Sequence, residues 1–205
     1  RGAKRHILNI EIASEASEQN EREFAPLDVD KASADEIKAC LLESGLWGFI
    51  KQRPYDVVAH PDIVPRDIFV TALFTAPLAP DFAYVVEGRQ AHLELALKAL
   101  RKLTPGKLYI SAANALNLNI EGVEEYVIEG PHPAGTVGVL INKTKPINKG
   151  ETVWTLKATD LLVIGRFLAT GKVDFSRQVA VTGSEATEKG YMQVQPGCPV
   201  ADLVG

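Results

Sequence analysis

The sequence predicts an α/β fold in which helices pack on a parallel β-sheet, and three consecutive segments predict it. Residues 68–73 are a short apolar run, typical of a strand that is covered on both faces. Residues 89–103 repeat leucine and alanine at the spacing of an amphipathic helix, and residues 107–111 read as a second strand. A strand, a helix and a strand in this order favour a right-handed crossover between parallel strands.

The segments before this unit predict a strand, a loop and a helix. A strand is predicted over residues 5–12, and the polar residues 13–30 lack periodicity, so we expect a loop or linker there. Ser33 and Glu36 have the spacing of a capping box, which predicts the start of a helix. Gly45 is placed to end that helix in a left-handed conformation.

The segments after the unit continue the same alternation. Residues 125–128 are a further strand candidate, and residues 159–166 are an apolar helix candidate that follows the strand-like residues around Trp154. Residues 179–204 predict a strand, a turn, a strand and the start of a helix. The predicted architecture is therefore α/β and Rossmann-like in the loose sense.

Composition excludes several classes of protein. The chain has 205 residues, of which 46% are hydrophobic and 23% charged, which is enough apolar material for a sizeable core. The net charge is −4 and the basic residues are scattered, so a nucleic-acid partner is disfavoured. No apolar run reaches the roughly 18 residues that a transmembrane segment needs. We therefore expect no transmembrane segment in this chain.

The cysteines and histidines do not have the spacing of metal ligands. Cys40 and Cys198 are far apart and form no CxxC motif, which argues against a zinc knuckle or an iron–sulfur cluster within this chain. No metal site is predicted, and no serine, histidine and aspartate pattern of a hydrolase is present.

The connection over residues 74–87 is where a nucleotide-binding α/β unit would carry its glycine-rich loop. It contains no G-x-G-x-x-G and no phosphate-binding lysine loop. An independent nucleotide-dependent enzyme therefore lacks its motif. A connection of this length is either a binding loop or a packed cover of the core.

An aromatic turn over residues 45–54 is the first candidate site. Trp47 and Phe49 would offer flat apolar surface to a quinone ring or a partner, with Lys51 and Arg53 near its carbonyls or near an anionic group. The alternative is that the aromatic side chains cap the core while the cations stay in water.

His132 is the second candidate, because it lies between two prolines and precedes Gly135. The following proline biases its backbone toward an extended conformation, which fixes the direction of the ring. Histidine exchanges protons near neutral pH, so His132 is a candidate proton donor to a reduced quinone. The alternative is a rigid turn whose imidazole bonds a nearby carbonyl.

Together these residues resemble the A subunits of the sodium-translocating NADH:quinone oxidoreductases. The resemblance covers nearly the whole chain and is carried by Leu41–Trp47, Arg53-Pro54, Ile68–Ala72, Pro77–Ala79, Gly130–Gly135, Thr152–Trp154 and Ile164-Gly165. It implies a respiratory complex that oxidises NADH, reduces ubiquinone and exports sodium, with this chain peripheral on the cytoplasmic face of a bacterial inner membrane. The implied partners are the other subunits of the complex and ubiquinone.

The resemblance also implies domain boundaries, and the chain is interpreted as a central piece of a longer protein. Residues 1–32 would be an entry strand and a linker, residues 33–175 a Rossmann-like domain, and residues 176–205 the beginning of a β-grasp, ubiquitin-like domain.

Flavin binding is doubtful, and no cofactor is expected to be bound by this piece. Related folds in the flavin-binding subunit of complex I hold FMN with a glycine-rich loop, and the corresponding residues 43–49 here include the bulky Leu46 and Trp47. The sequence leaves two roles open, a quinone-associated member of the complex and a degenerate flavoprotein-type module with a purely architectural docking role. The candidate contact residues are Trp47, Phe49, Arg53 and His132.

Overall fold

A computed structural model describes residues 22–204 of the chain. The strand predicted over residues 5–12 and the first part of the predicted linker lie outside the described residues. Residues 22–33 form no helix or strand, in agreement with a loop.

The described residues form helices and strands in alternation. The helices are α1 (Ala34–Glu43), a 3-10 helix (Leu46–Phe49), α2 (Phe82–Val86), α3 (Gln90–Arg101), α4 (Val137–Thr144), α5 (Ala158–Thr170) and α6 (Ala201–Val204). The strands are β1 (Lys51–Arg53), β2 (Val57–Val58), β3 (Ile68–Thr71), β4 (Leu108–Ala112), β5 (Val123–Val127), β6 (Val153–Lys157), β7 (Arg177–Val181) and β8 (Gly190–Val194).

Six strands form one mostly parallel sheet in the order β2-β1-β6-β3-β4-β5. Strands β6, β3, β4 and β5 are parallel, and Ile68 of β3 lies opposite Leu108 of β4 and Trp154 of β6. Strand β1 is antiparallel to β6, and β2 is antiparallel to β1. The chain moves from β3 through β4 to β5 and then returns to β6 on the other side of β3. The order of the strands thus reverses between β3 and β6. In open α/β sheets, a ligand-binding crevice opens at such a reversal.

The predicted α/β class is confirmed, with small shifts at the ends of elements. Strands β3 and β4 flank α3 as predicted and pair in parallel, and β7, β8 and α6 follow in the predicted order. The prediction missed α4, the five-residue α2 inside the long connection, and the short strands β1 and β2. Elements of two to five residues are too short to show a period, which explains three of these omissions.

Buried side chains cover both faces of the sheet, as the apolar strand sequences predict. On one face Ile68 and Val70 join the large cluster formed with α1, α3 and α5. On the other face Phe69 stacks on Tyr109, with ring centroids 4.9 Å apart, and packs beneath α4. All four residues of β3 are buried, because helices cover both sides of this central strand.

The two longest helices, α3 and α5, cross closely because Gly165 has no side chain. A Cβ atom built on Gly165 would lie 1.8 Å from the carbonyl oxygen of His92 in α3. The close approach of the two backbones therefore requires glycine at this position.

A buried carboxylate stabilises the opposite end of the sheet. Asp67 is fully buried, and it accepts hydrogen bonds from Arg66 Nε (2.7 Å) and from the amide of Lys107 (2.9 Å), while Lys145 Nζ lies 2.9 Å away. Burial by itself raises the pKa of Asp67, but the Lys107 amide, Lys145 and Arg66 outweigh it and hold the pKa below its ordinary value. Because Lys145 follows α4, this cluster also ties α4 to the start of β3.

Candidate functional site

A cavity of about 700 Å³ opens at the carboxyl ends of β3 and β6, and we call it the switch-point cavity. Thr71 ends β3 and Lys157 ends β6, and both line it. In open α/β sheets, ligands bind outside the carboxyl ends of the strands where the strand order reverses. The topology therefore places this cavity at the position where this class of fold builds a binding site.

The walls of the cavity are largely apolar. Phe49 comes from the 3-10 helix, Leu73 and Phe74 follow β3, and Val85 and Val137 come from α2 and α4. The loop between β3 and α3 thus forms part of the wall, so residues 74–87 contain lining residues as well as a packed helix. A pocket of this size with a few polar groups is typical of a small-molecule site.

A chain of hydrogen bonds fixes the loop that carries His132. Thr71 Oγ1 donates to the carbonyl of Gly135 (2.8 Å), and the amide of Gly135 donates to Thr75 Oγ1 (3.0 Å). Thr75 Oγ1 lies 3.3 Å from His132 Nδ1. A Cβ on Gly135 would meet the carbonyl oxygen of Leu73 at 2.4 Å, so glycine is required for this close approach. The exposed His132 ring is therefore held at the rim by the end of β3.

Three cations line the same cavity. Arg53 Nε lies 3.4 Å from Asp56 Oδ1, yet this nitrogen is buried and makes no hydrogen bond within residues 22–204. Lys51 is half-buried and Lys157 is exposed. An acceptor atom placed near Arg53 would satisfy a donor that the described residues leave without one.

The rim also contains an ion pair between α5 and β7. Arg177 Nη1 donates to Asp160 Oδ1 at 2.8 Å, and the Arg177 guanidinium lies 5.1 Å from the centre of the Phe49 ring. This cation–π contact packs the Phe49 ring against β7, which pairs with β8 in the two-stranded sheet.

Backbone amides near the cavity are poorly arranged for a phosphate. Strand β6 ends at Lys157 and α5 begins at Ala158, so no loop separates them. In the segment that resembles the FMN loop, the amides of Ser44, Gly45 and Gly48 donate to the carbonyls of Cys40, Leu42 and Gly45. Amides that are already bonded within the chain are not free to donate to a phosphate.

The structure brings three of the four predicted contact residues together. Phe49, Arg53 and His132 line the switch-point cavity. Trp47 does not: its indole is 4% exposed, its Nε1 donates to the carbonyl of Ala59 at 2.7 Å, and it packs edge-to-face on Trp154 at 5.2 Å. Trp47 thus lies in the core beneath the site, which is the capping alternative stated for it above.

The sequence interpretation assigned no role to several other lining residues, among them Thr71, Thr75, Lys157, Asp160 and Gln178. Most of these residues share one feature, which is their position at or after the end of a strand or at the beginning of the next element. Ranking polar residues by their distance from the end of a predicted parallel strand would have found Thr71, Thr75, Lys157 and Asp160.

Among residues 22–204, no group of three or more histidine, cysteine, aspartate or glutamate side chains is arranged to hold a metal ion. Within the same range, none of the helices is both long enough and apolar enough to span a bilayer.

Comparison with known proteins shows the family. Residues 32–173 match the family model described as the NqrA second alpha/beta domain. Curated relatives, each named as the A subunit of a Na(+)-translocating NADH-quinone reductase, align with 99% of this chain: 32% identical in Neisseria meningitidis serogroup A, 31% in Saccharophagus degradans and 32% in Shewanella amazonensis. The aligned region is 46% of each of these relatives, so the chain spans about half their length. The chain therefore belongs to the NqrA family, the family of the A subunits of the Na(+)-translocating NADH-quinone reductases.

Proposed function

We propose that this chain is the part of a sodium-translocating NADH:quinone reductase that holds the ring of ubiquinone in the switch-point cavity. The observation that carries the proposal is the convergence of Phe49, Arg53 and His132 on one largely apolar cavity at the reversal of the sheet. The names of the relatives support a quinone as the substrate of the whole complex, which couples its reduction by NADH to sodium export.

The cavity offers the two kinds of contact that a quinone needs. Phe49, Leu73 and Val137 provide apolar surface for the flat ring. The Arg53 guanidinium belongs to a residue that lines the cavity, and its N–H groups are the donors proposed for a quinone carbonyl oxygen.

His132 is proposed as a proton donor to the bound ring. Conversion of a quinone to a quinol takes two electrons and two protons, and we propose that the electrons come from other subunits of the complex. The bond between Thr75 and His132 Nδ1 leaves the Nε2 side of the ring free to face the cavity mouth. The test of this role is the pH profile of quinone reduction by the complex.

FMN is not proposed as a ligand of this chain. The amides of residues 44, 45 and 48 are bonded within the chain, and the side chains of Leu46 and Trp47 are buried in the core. We propose instead that the ancestral cofactor loop has become a turn that supports the cavity wall through Phe49.

The remaining proposals concern domains and location. We propose that residues 33–175 are a Rossmann-like domain and that β7, β8 and α6 open a β-grasp domain. The antiparallel pairing of Val179 with Met192 supports a hairpin start for that second unit. We also propose that the chain sits peripherally on the cytoplasmic face of the membrane complex and docks on its other subunits.

The test is a titration of the 205-residue chain with a short-chain ubiquinone, followed by methyl NMR of Leu73 and Val137. Wild type should shift these signals in a saturable way. Phe49→Ala should weaken binding by about tenfold, because a ring contact of roughly 1–1.5 kcal/mol is lost. Tyr55→Ala is the matched control, since Tyr55 is 81% exposed and lies outside the cavity lining.

Two results would count against the proposal. Absence of shifts at saturating quinone would favour the architectural docking role instead. Equal weakening by Phe49→Ala and Tyr55→Ala would show that the quinone associates with exposed aromatic surface in general.

A further inference from the structure

A second cavity of about 290 Å³ lies between α3, α5 and β7. Three arginines line it, Arg89 at the start of α3, Arg166 on α5 and Arg177 on β7, and we call it the arginine cavity. His92 also lines it. Three guanidinium groups from three elements in one small cavity need negative charge nearby.

The described chain supplies two carboxylates for these three cations. Arg166 Nη1 lies 2.8 Å from Asp174 Oδ2, and Arg177 Nη1 lies 2.8 Å from Asp160 Oδ1. Within residues 22–204, no carboxylate lies within 4.0 Å of Arg89, which is half-buried. The cavity therefore keeps an excess of one positive charge before any ligand binds.

Two polar atoms at this cavity also lack a partner. The Nε atom of Arg166 is buried and makes no hydrogen bond within the described residues, although the other guanidinium nitrogens bond Asp174 and Ser176. The Oε1 atom of Gln178 is also buried, and it accepts no hydrogen bond within the described residues. Buried polar atoms without a partner are rare in folded proteins, and of these two only Arg166 Nε is a donor, because Gln178 Oε1 accepts hydrogen bonds.

The pKa of His92 is affected by the positive charges around the cavity. Burial, and then the positive charges of Arg166 and Arg89, lower the pKa of His92 below its ordinary value. The neutral form of the ring, which this shift favours, donates one hydrogen bond without adding charge. An anion entering the cavity would meet a positive potential that these two arginines create.

We infer that the arginine cavity binds a phosphate group or a similar tetrahedral oxyanion of a small molecule. Arginine is suited to this role because its planar fork donates two parallel hydrogen bonds to phosphate oxygens. Arg89, which is outside any ion pair of the described residues, is the principal ligand, and the positive charge of Arg166 adds to the attraction. The inference goes beyond the quinone proposal and does not depend on it, since Arg89, Arg166 and His92 line only the arginine cavity.

The test uses inorganic phosphate and the 205-residue chain without quinone. Phosphate is titrated at constant ionic strength against chloride, and binding is followed by calorimetry and by the NMR signals of the arginine Nε–H groups. Wild type should bind one phosphate with a shift of the Arg89 and Arg166 signals. Arg89→Gln should weaken binding by at least about tenfold, the loss expected for one charge-assisted hydrogen bond.

The matched control is Arg22→Gln, because Arg22 is an exposed arginine paired with Glu43 and does not line the arginine cavity. It removes the same charge and should leave phosphate affinity unchanged. Equal loss in the two variants would overturn the inference, because phosphate would then respond only to net charge. Absence of any saturable binding to wild type would overturn it as well.

A second arm separates the sources of the phosphate group. Phosphatidylglycerol vesicles are compared with phosphatidylcholine vesicles in co-sedimentation with wild type and Arg89→Gln. Arg89-dependent binding to phosphatidylglycerol would assign the site to a lipid headgroup. Binding of free phosphate without Arg89-dependent vesicle binding would assign it to a soluble phosphate compound, and either result supports the inference.

Discussion

Replacement of Gly165 by alanine should destabilise the fold strongly, although alanine is the better helix former. The new Cβ would lie 1.8 Å from the carbonyl oxygen of His92, far inside the roughly 3.5 Å at which non-bonded heavy atoms make their best contact. The clashing atom belongs to the backbone of α3 and cannot rotate away. The two helices must therefore move apart by roughly 1.5 Å along a packed contact.

The expected magnitude follows from two opposing effects. Overpacking of this kind costs about 1–3 kcal/mol, and a backbone clash belongs at the upper end. The gain in helix propensity returns up to about 1 kcal/mol. We expect a net loss of about 2 kcal/mol in the free energy of unfolding, which lowers the melting temperature by about 4–8 °C for a chain of this size.

Urea denaturation and thermal melting of Gly165→Ala measure this loss. The control is Gly138→Ala in α4, where an added Cβ would meet nothing within 4 Å. That variant should be neutral or gain up to about 1 kcal/mol. A Gly165→Ala protein as stable as wild type would refute the close crossing of α3 and α5.

Three other predictions concern single interactions. Trp47→Phe removes the buried donor of the Ala59 carbonyl and should cost about 1–3 kcal/mol in urea denaturation; an unchanged midpoint would place the indole outside the core. Ser33→Ala breaks the capping box of α1 and should cost about 1 kcal/mol by the same measurement, whereas a stabilised variant would contradict the cap. Because the pKa of Asp67 is lowered in the folded state, its contribution is fully present above the unfolded pKa of about 3.9 and is lost as pH falls through the folded pKa. The stability gap between wild type and Asp67→Asn, measured from pH 7 to pH 3, should therefore narrow below about pH 4, and a gap that widens there would be inconsistent with a lowered pKa.

Much of the fold was predictable because its central elements have strong periodicity. The run of β3 and the leucine pattern of α3 specify a buried strand and a helix that covers it. Strand β1 was not predictable, because its sequence Lys-Gln-Arg has no apolar alternation and pairs with β6 only through tertiary context.

Individual residues of the candidate site were predictable from the sequence, but their convergence on one cavity was not. Phe49, Arg53 and His132 were chosen for their chemistry, and nothing in their spacing indicates that they meet. They meet because β1 lies beside β6 and the loop of His132 is bonded to the end of β3. Trp47 was also chosen for its chemistry, but it lies in the core. An aromatic residue beside two glycines is equally compatible with the core and with a surface contact.

The switch-point and arginine cavities share Val85, Thr159 and Gln178 in their linings, and Arg177 spans both through its pair with Asp160. An anion that drew Arg177 away from Asp160 would leave a carboxylate without its counter-charge at the rim of the neighbouring space. If this change alters the affinity for a ring in the neighbouring cavity, thermodynamic reciprocity requires the ring to alter the affinity for the anion by the same factor. The three shared lining residues and the Arg177–Asp160 pair are therefore the places where binding in one cavity would affect the other.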